Sequence, residues 1–221
     1  MKIDQIIRTK RRTIALIINT EGKLIIRAPL RATQKQIEYV VEQKMGWIKV
    51  KQEQVRTAYA HFAPKEFVNG EEFLYMGKVY RLAIVDGPDQ PLHLTDQFYL
   101  SRTSLAHAET IFKRWYIAQA KRVITERGKV YAARNHFEYR RIKITQAQTR
   151  WGSCSSSGNL NFSWRLVMAP LQVIDYVVVH ELVHLHEKNH SQRFWDRVKT
   201  ILPGYALQVQ WLKKNGYMLR L

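Results

Sequence analysis

Residues 180–190 read His-Glu-Leu-Val-His-Leu-His-Glu-Lys-Asn-His. His180 and His184 are four apart, so a helix sets their imidazoles on one face, about 40° from each other around the axis. Two imidazoles placed that way can bind one metal ion. Glu181, one step round, can reach a water on that ion without being a ligand itself. His-Glu-x-x-His is the spacing through which helices assemble zinc-dependent hydrolysis. In such chemistry the ion polarises an electrophile and lowers the pKa of a water towards ~7, and the glutamate moves the proton.

A catalytic zinc takes three protein ligands and keeps one position open. His190 follows His184 by six residues. A continuing helix would carry it about 9 Å along the axis, too far to share the ion. The chain must therefore turn back. Glu187-Lys188-Asn189 is the expected place, with Asn189 in the left-handed conformation that ends helices. Ser191 then suits the N-cap of a new helix through Phe194, Trp195 and Val198. His190 is thus the expected third ligand, and Glu187 is its rival if the helix runs on. His186 projects away and is expected not to bind. Asp175, Asn161 and Glu187 are candidates to hold the outer ring nitrogens of the histidines.

The elements that must position this cluster can be read outwards from it. Leu171–Val179 is strongly apolar, and Pro170 suits a helix start because the first turn has no use for its missing N–H. Residues 139–147 and 158–167 read as two strands around a Trp151–Ser157 loop. Residues 104–135 read as a helix with Ile111, Trp115, Ala118, Val123 and Tyr131 inward. Residues 61–102 read as strands punctuated by Asn69-Gly70, Met76-Gly77 and Asp86-Gly87-Pro88. Residues 2–8, 13–19 and 23–28 read as strands, and 33–57 as one helix capped by Thr33, with Trp47 packed beside its apolar face. A last helix is expected over 205–215. Together these give an α+β fold. Residues 1–102 form a β-rich part with one helix, and residues 103–221 form a minimal zincin-like unit built on the metal helix.

The chain has 221 residues, of which 46% are hydrophobic, enough for a true core. No apolar run approaches the ~20 residues that cross a bilayer, so no membrane partner is expected. The start lacks a signal-peptide apolar core, and Cys154 is the sole cysteine, so a cytoplasmic location is expected. Cys154 reads as a small buried thiol, not a nucleophile, because no triad spacing accompanies it. Net charge is +18, with 13 Lys/Arg against 5 Asp/Glu in residues 1–60 and 12 against 3 in residues 101–150. Such a field attracts polyanions, and nonspecific nucleic-acid binding is the expectation. No helix-turn-helix, RRM or zinc-finger pattern argues for specific binding.

In several motifs the chain resembles the YgjP-like group of zinc-dependent hydrolases, related to SprT-like and WLM proteases. They are His180-Glu-Leu-Val-His184, Asn189-His190-Ser191 with Phe194-Trp195, and Arg150-Trp-Gly-Ser-Cys-Ser155. Arg11-Arg12-Thr13 and the strand end Arg27-Ala28-Pro29 also match. The histidine offsets fit metzincins too, but Glu187 stands where those place a turn glycine, and no Met-turn follows. The resemblance implies a zinc-dependent metallopeptidase with one Zn2+ per chain. In related proteases an edge strand pairs with an extended substrate. That places Arg150, Gly152 and Ser153 as candidates to line the cleft. Arg150 could bind a carboxylate, a phosphate or the developing oxyanion, and Gly152 could admit close backbone approach. A structural corner around a core Trp151 is the competing reading. Tyr205 is a candidate oxyanion donor, with simple packing as its competitor. The resemblance also implies a second activity, hydrolysis of uridine triphosphate and similar nucleotides as a pyrophosphatase. No Gly-Lys-Ser/Thr phosphate loop supports it. A third reading is a DNA-associated protease of the SprT-like kind.

Overall fold

The computed structural model describes residues 3–19, 22–60, 64–87 and 90–221. It divides into two compact units, residues 1–63 and 64–221, and its architecture is α+β.

In the first unit, β1 (Gln5–Thr9), β2 (Ala15–Ile18) and β3 (Leu24–Pro29) form a sheet of order β1-β3-β2. β3 is central, parallel to β1 and antiparallel to β2. Its alternation explains why: Leu24, Ile26 and Ala28 are buried while Arg27 is exposed. Thr33 and Gln36 form a reciprocal capping box on α1 (Gln34–Gln43). The single helix expected over 33–57 is two helices. Lys44 leaves the helical region (φ −110°, ψ 12°), its N–H bonds back to Val41, and α2 (Met45–Ala60) restarts beyond it. Gly46, a weak helix former, lies at the restart. Ile48 takes the inward position on α2, so Trp47, one step round, is 44% exposed and not in the core as expected.

The second unit begins with β4 (Glu72–Tyr75), β5 (Lys78–Val85), β6 (Leu92–Leu94) and β7 (Phe98–Ser101), in the order β4-β5-β7-β6. The β4–β5 hairpin turns at Met76-Gly77, both at positive φ. The N–H groups of Met76 and Gly77 donate to the carbonyls of Val167 and Met168. A side chain on Gly77 would meet Pro170 at 2.8 Å. The hairpin tip therefore braces the entrance to α4 (Leu171–Val183), the metal helix. Phe73 also stacks on Phe112 of α3 (Ala108–Asn135), with centroids 4.3 Å apart, and Phe98 joins them. These strands share one core with the helices, all within the compact unit of residues 64–221.

α3 buries Phe112, Tyr116, Ala120, Val123, Ile124 and Ala132, a stripe about one residue round from the expected one. After it come β8 (Arg141–Thr145), β9 (Gly152–Cys154) and β10 (Asn159–Ser163), ordered β8-β10-β9. β10 runs parallel to β8 and antiparallel to β9. The expected Trp151–Ser157 loop thus contains a short edge strand. Too short to show alternation, β9 is defined by its pairing with β10. α5 (Gln192–Ile201) and α6 (Tyr205–Asn215) complete the unit. Among the described residues no helix is long and apolar enough to cross a membrane.

α4 is buried along nearly its whole length, Asp175 included. The Asp175 carboxylate accepts from Arg127 Nε at 2.5 Å and Nη2 at 2.7 Å, and from the Tyr131 hydroxyl at 3.1 Å. This bidentate pair ties α3 to α4 five residues before His180. It also removes Asp175 from the candidates for holding a histidine ring. Asp175→Ala leaves a half-buried guanidinium unpaired. The pair is not fully dry, so the expected loss is about 2 kcal/mol, read from chemical denaturation with circular dichroism.

Candidate metal centre

α4 ends at the site it carries. His184 is its C-cap, and the next turn tightens, with Leu185 and His186 N–H bonding three residues back to Leu182 and Val183. Lys188 Nζ donates to the freed carbonyls of His184 and Leu185 at 3.1 and 2.9 Å. Asn189 is not in the expected left-handed conformation. Its side-chain oxygen instead accepts from Ser191 N–H at 3.2 Å, and α5 starts there with Ser191 in the N-cap position. The tightened turn and the asparagine hook bring His190 back over the helix.

One ring nitrogen from each of His180, His184 and His190 lies within 4.8 Å of the other two, and Nε2 of His180 is 3.0 Å from Nε2 of His190. Ligand atoms about 2.05 Å from a tetrahedral zinc stand about 3.3 Å apart. His184 Nδ1 lies 2.9 Å from the Glu187 carbonyl, so it carries the proton and leaves Nε2 free as a donor atom. His180 Nδ1 is 3.4 Å from the Tyr176 hydroxyl. Burial, reinforced by His184 and His190, drives the His180 pKa down to about 3, and burial lowers that of His184. Both rings are therefore held neutral, the form that ligates. Three imidazoles suit zinc and leave the ion its full positive charge. The donor set fits the metal that the motif implies.

Glu181 is 5% exposed, and its Oε2 has no hydrogen-bond partner in the structure. Burial pushes its carboxyl up to about 8, with Arg150 opposing. Gly152 on β9 abuts it: a Cβ there would lie 2.5 Å from Glu181 Oε1. The close approach that Gly152 permits is thus that of the glutamate.

The remaining expected residues fall around this centre. Arg150, Gly152, Ser153 and Asn161 line a cleft of about 290 Å³. Asn161 Nδ2 donates to the Ser153 hydroxyl and holds no histidine ring. Glu187 contributes its carbonyl, and His186 turns away to pack on Phe137. Tyr205 stacks on Trp195, and Trp195 stacks on His190, so Tyr205 reaches the site through an intervening ring. Trp195, expected in a helix core, is part of the wall behind a ligand. Cys154 is half-buried, and burial raises its pKa, as for an inert thiol. Phe194 and Tyr176, which pack on His180, had no assigned role. Tyr176 was discoverable, since it stands four residues before His180 on the same helix face. Burial holds its hydroxyl pKa up to about 12, so it keeps its proton.

The sequence matches the YgjP-like metallopeptidase domain over residues 12–215. The chain belongs to this family. As a member of the YgjP-like metallopeptidases it is a metal-dependent hydrolase, and the match lends nothing to a nucleotide pyrophosphatase. Among solved structures, the metallopeptidase zymogen abylysin of Pyrococcus abyssi is similar over 41% of this chain and 93% of its own, with 17% identity and a TM-score of 0.38. No curated protein matches the sequence.

Purified protein supplied with zinc should hold one ion per chain by inductively coupled plasma mass spectrometry. His180→Ala and His184→Ala should each reduce this to near zero and abolish the zinc-dependent rise in Tm.

Proposed function

We propose that the chain is a zinc-dependent peptidase in which His180, His184 and His190 hold the ion and Glu181 is the general base. The observation that carries this reading is the convergence of three imidazoles, those of His180 and His184 held neutral by burial, beside one buried carboxyl whose Oε2 has no hydrogen-bond partner. Zinc there would supply Lewis acidity and a source of nucleophilic water near neutral pH.

Everything else falls to the chain. Glu181 has its Oε2 lone pairs uncommitted, so that oxygen can accept the proton released as water attacks a carbonyl and return it to the leaving amine. A carboxyl raised by burial holds a proton more readily than one in water, which suits a group that takes and returns it. Gly152 fixes where that carboxyl sits. β9 is the edge of its sheet, so its outward backbone groups can pair with an extended peptide. A strand-like substrate would then lie beside the glutamate. That placement favours peptides over nucleotides, which gain nothing from a strand edge.

Glu181→Gln should keep its zinc and lose about 10³-fold in turnover of casein and of fluorogenic peptides. Nucleoside triphosphates assayed in parallel should release no pyrophosphate. Turnover of nucleotides alone, or a fully active Glu181→Gln, would overturn the proposal. Gly152→Ala forces the carboxyl to move. It should lose about 10²-fold in kcat with zinc content unchanged.

A further inference from the structure

The cleft beside β9 has a chemical character of its own. Its lining contains hydroxyl and amide groups from Thr145, Ser153, Asn161 and Ser163, one cation, Arg150, and no acid. Residues 139–165, the whole three-strand segment, hold five Arg/Lys and no Asp or Glu. Arg150 is exposed and makes no hydrogen bond or ion pair with any described residue. Its charge is nevertheless felt at Glu181. Arg165 stands behind the wall. It donates to the Ala147 carbonyl at 3.0 Å, lies 5.9 Å from the Trp151 ring, and has no carboxylate partner. Ser163 Oγ donates to that same carbonyl at 2.9 Å, which fixes the wall. One guanidinium, that of Arg150, thus lines a cleft whose lining has no acidic side chain, and a second, Arg165, is bonded to the backbone of the lining residue Ala147. Gly152 is common to this cavity and to the bed of Glu181.

An uncompensated guanidinium at a polar cleft selects a planar oxyanion, because its fork of N–H donors matches two oxygens at once. We propose that this cleft is a substrate subsite in which Arg150 holds the carboxylate of an acidic residue, so that the substrates are acidic peptides. The inference rests on the peptidase reading above and names its substrate class. The chain's net charge of +18 acts the same way at longer range, drawing acidic chains towards a basic protein. A phosphoserine offers the same oxyanion chemistry and is the other source of it.

The test uses zinc-loaded full-length protein and a peptide series identical except for Glu, Gln, Lys or phosphoserine at one position, scanned across the scissile bond. Wild type should favour Glu over Gln about tenfold in kcat/KM at one fixed position, the scale of one charge-assisted contact. Arg150→Gln should bring that ratio to near one. Arg150→Glu should invert it in favour of Lys, which a merely structural role for Arg150 would not do. Zinc content and circular dichroism serve as folding controls. A phosphoserine rate above that of Glu, also lost in Arg150→Gln, would assign the same subsite to phosphopeptides. An unchanged Glu/Gln ratio in folded Arg150→Gln would overturn the proposal.

Failure of the peptidase reading is separable. If no peptide is cut by zinc-loaded wild type, calorimetry of the Glu and Gln peptides with Glu181→Gln protein decides the subsite alone. About tenfold tighter binding of the Glu peptide, abolished by adding Arg150→Gln, keeps it. Equal binding removes it.

Discussion

Glu181 is buried against a backbone that has no room to spare. A carboxylate out of water is costly unless it is paired, and one of its oxygens has no partner here. It stays because α4 is locked on every side. The β4–β5 hairpin tip braces the helix entrance, Arg127 grips it at Asp175, and β9 closes on Glu181 through a residue without a side chain. The strand edge, the cleft and the histidine cluster are all placed relative to that one contact.

The three imidazoles obey a different constraint. Two come from one helix and are fixed by its pitch, but the third must come from outside it. The chain achieves this without glycine. Three-residue hydrogen bonds tighten the turn, Lys188 satisfies the carbonyls the helix leaves behind, and Asn189 hooks the start of α5. Phe194 and Trp195 then press rings against His180 and His190, with Tyr205 stacked beyond. Aromatic packing limits ring rotation without competing for the nitrogens, as a hydrogen-bonding wall would. Burial of His180 and His184 disfavours their protonated forms, and the neutral imidazole is the form that ligates.

What the sequence disclosed follows from how local each feature is. His180, Glu181 and His184 are legible because helix pitch alone relates them. His190 was legible by elimination, since a straight helix could not deliver it. The means of its return was not, because tightened bonds and a lysine cap leave no residue signature as sharp as glycine. β9 was hidden inside an expected loop because three residues show no alternation; only pairing with β10 makes them a strand. Gly152 was read as a place of close backbone approach for a substrate; the group the structure sets against it is Glu181, from 29 residues further on. That the strands at 72–101 share a core with the helices was hidden, because they look like a continuation of the first strand group. Their partners, Phe112 on α3 and Pro170 before α4, are visible only in three dimensions. The identity of the helix end at Lys44 was likewise lost, as the apolar spacing of Ile37, Val41 and Ile48 is compatible with one uninterrupted helix.

Two carboxylates on α4 show how surroundings divide labour between similar groups. Asp175 and Glu181 are six residues apart on the same helix, and both are almost wholly buried. Asp175 has both oxygens engaged by Arg127 and one also by Tyr131, and so fastens α3 to α4. Glu181 feels a cation, Arg150, only at a distance and hydrogen-bonds to nothing through Oε2. Asp175 is thus committed to the frame of the fold, while Glu181 keeps an oxygen uncommitted. A tight Arg150–Glu181 bridge would pull the carboxyl down and occupy one of its oxygens. Holding that guanidinium at the cleft, close enough to be felt and too far to bond, leaves both groups available to a third party.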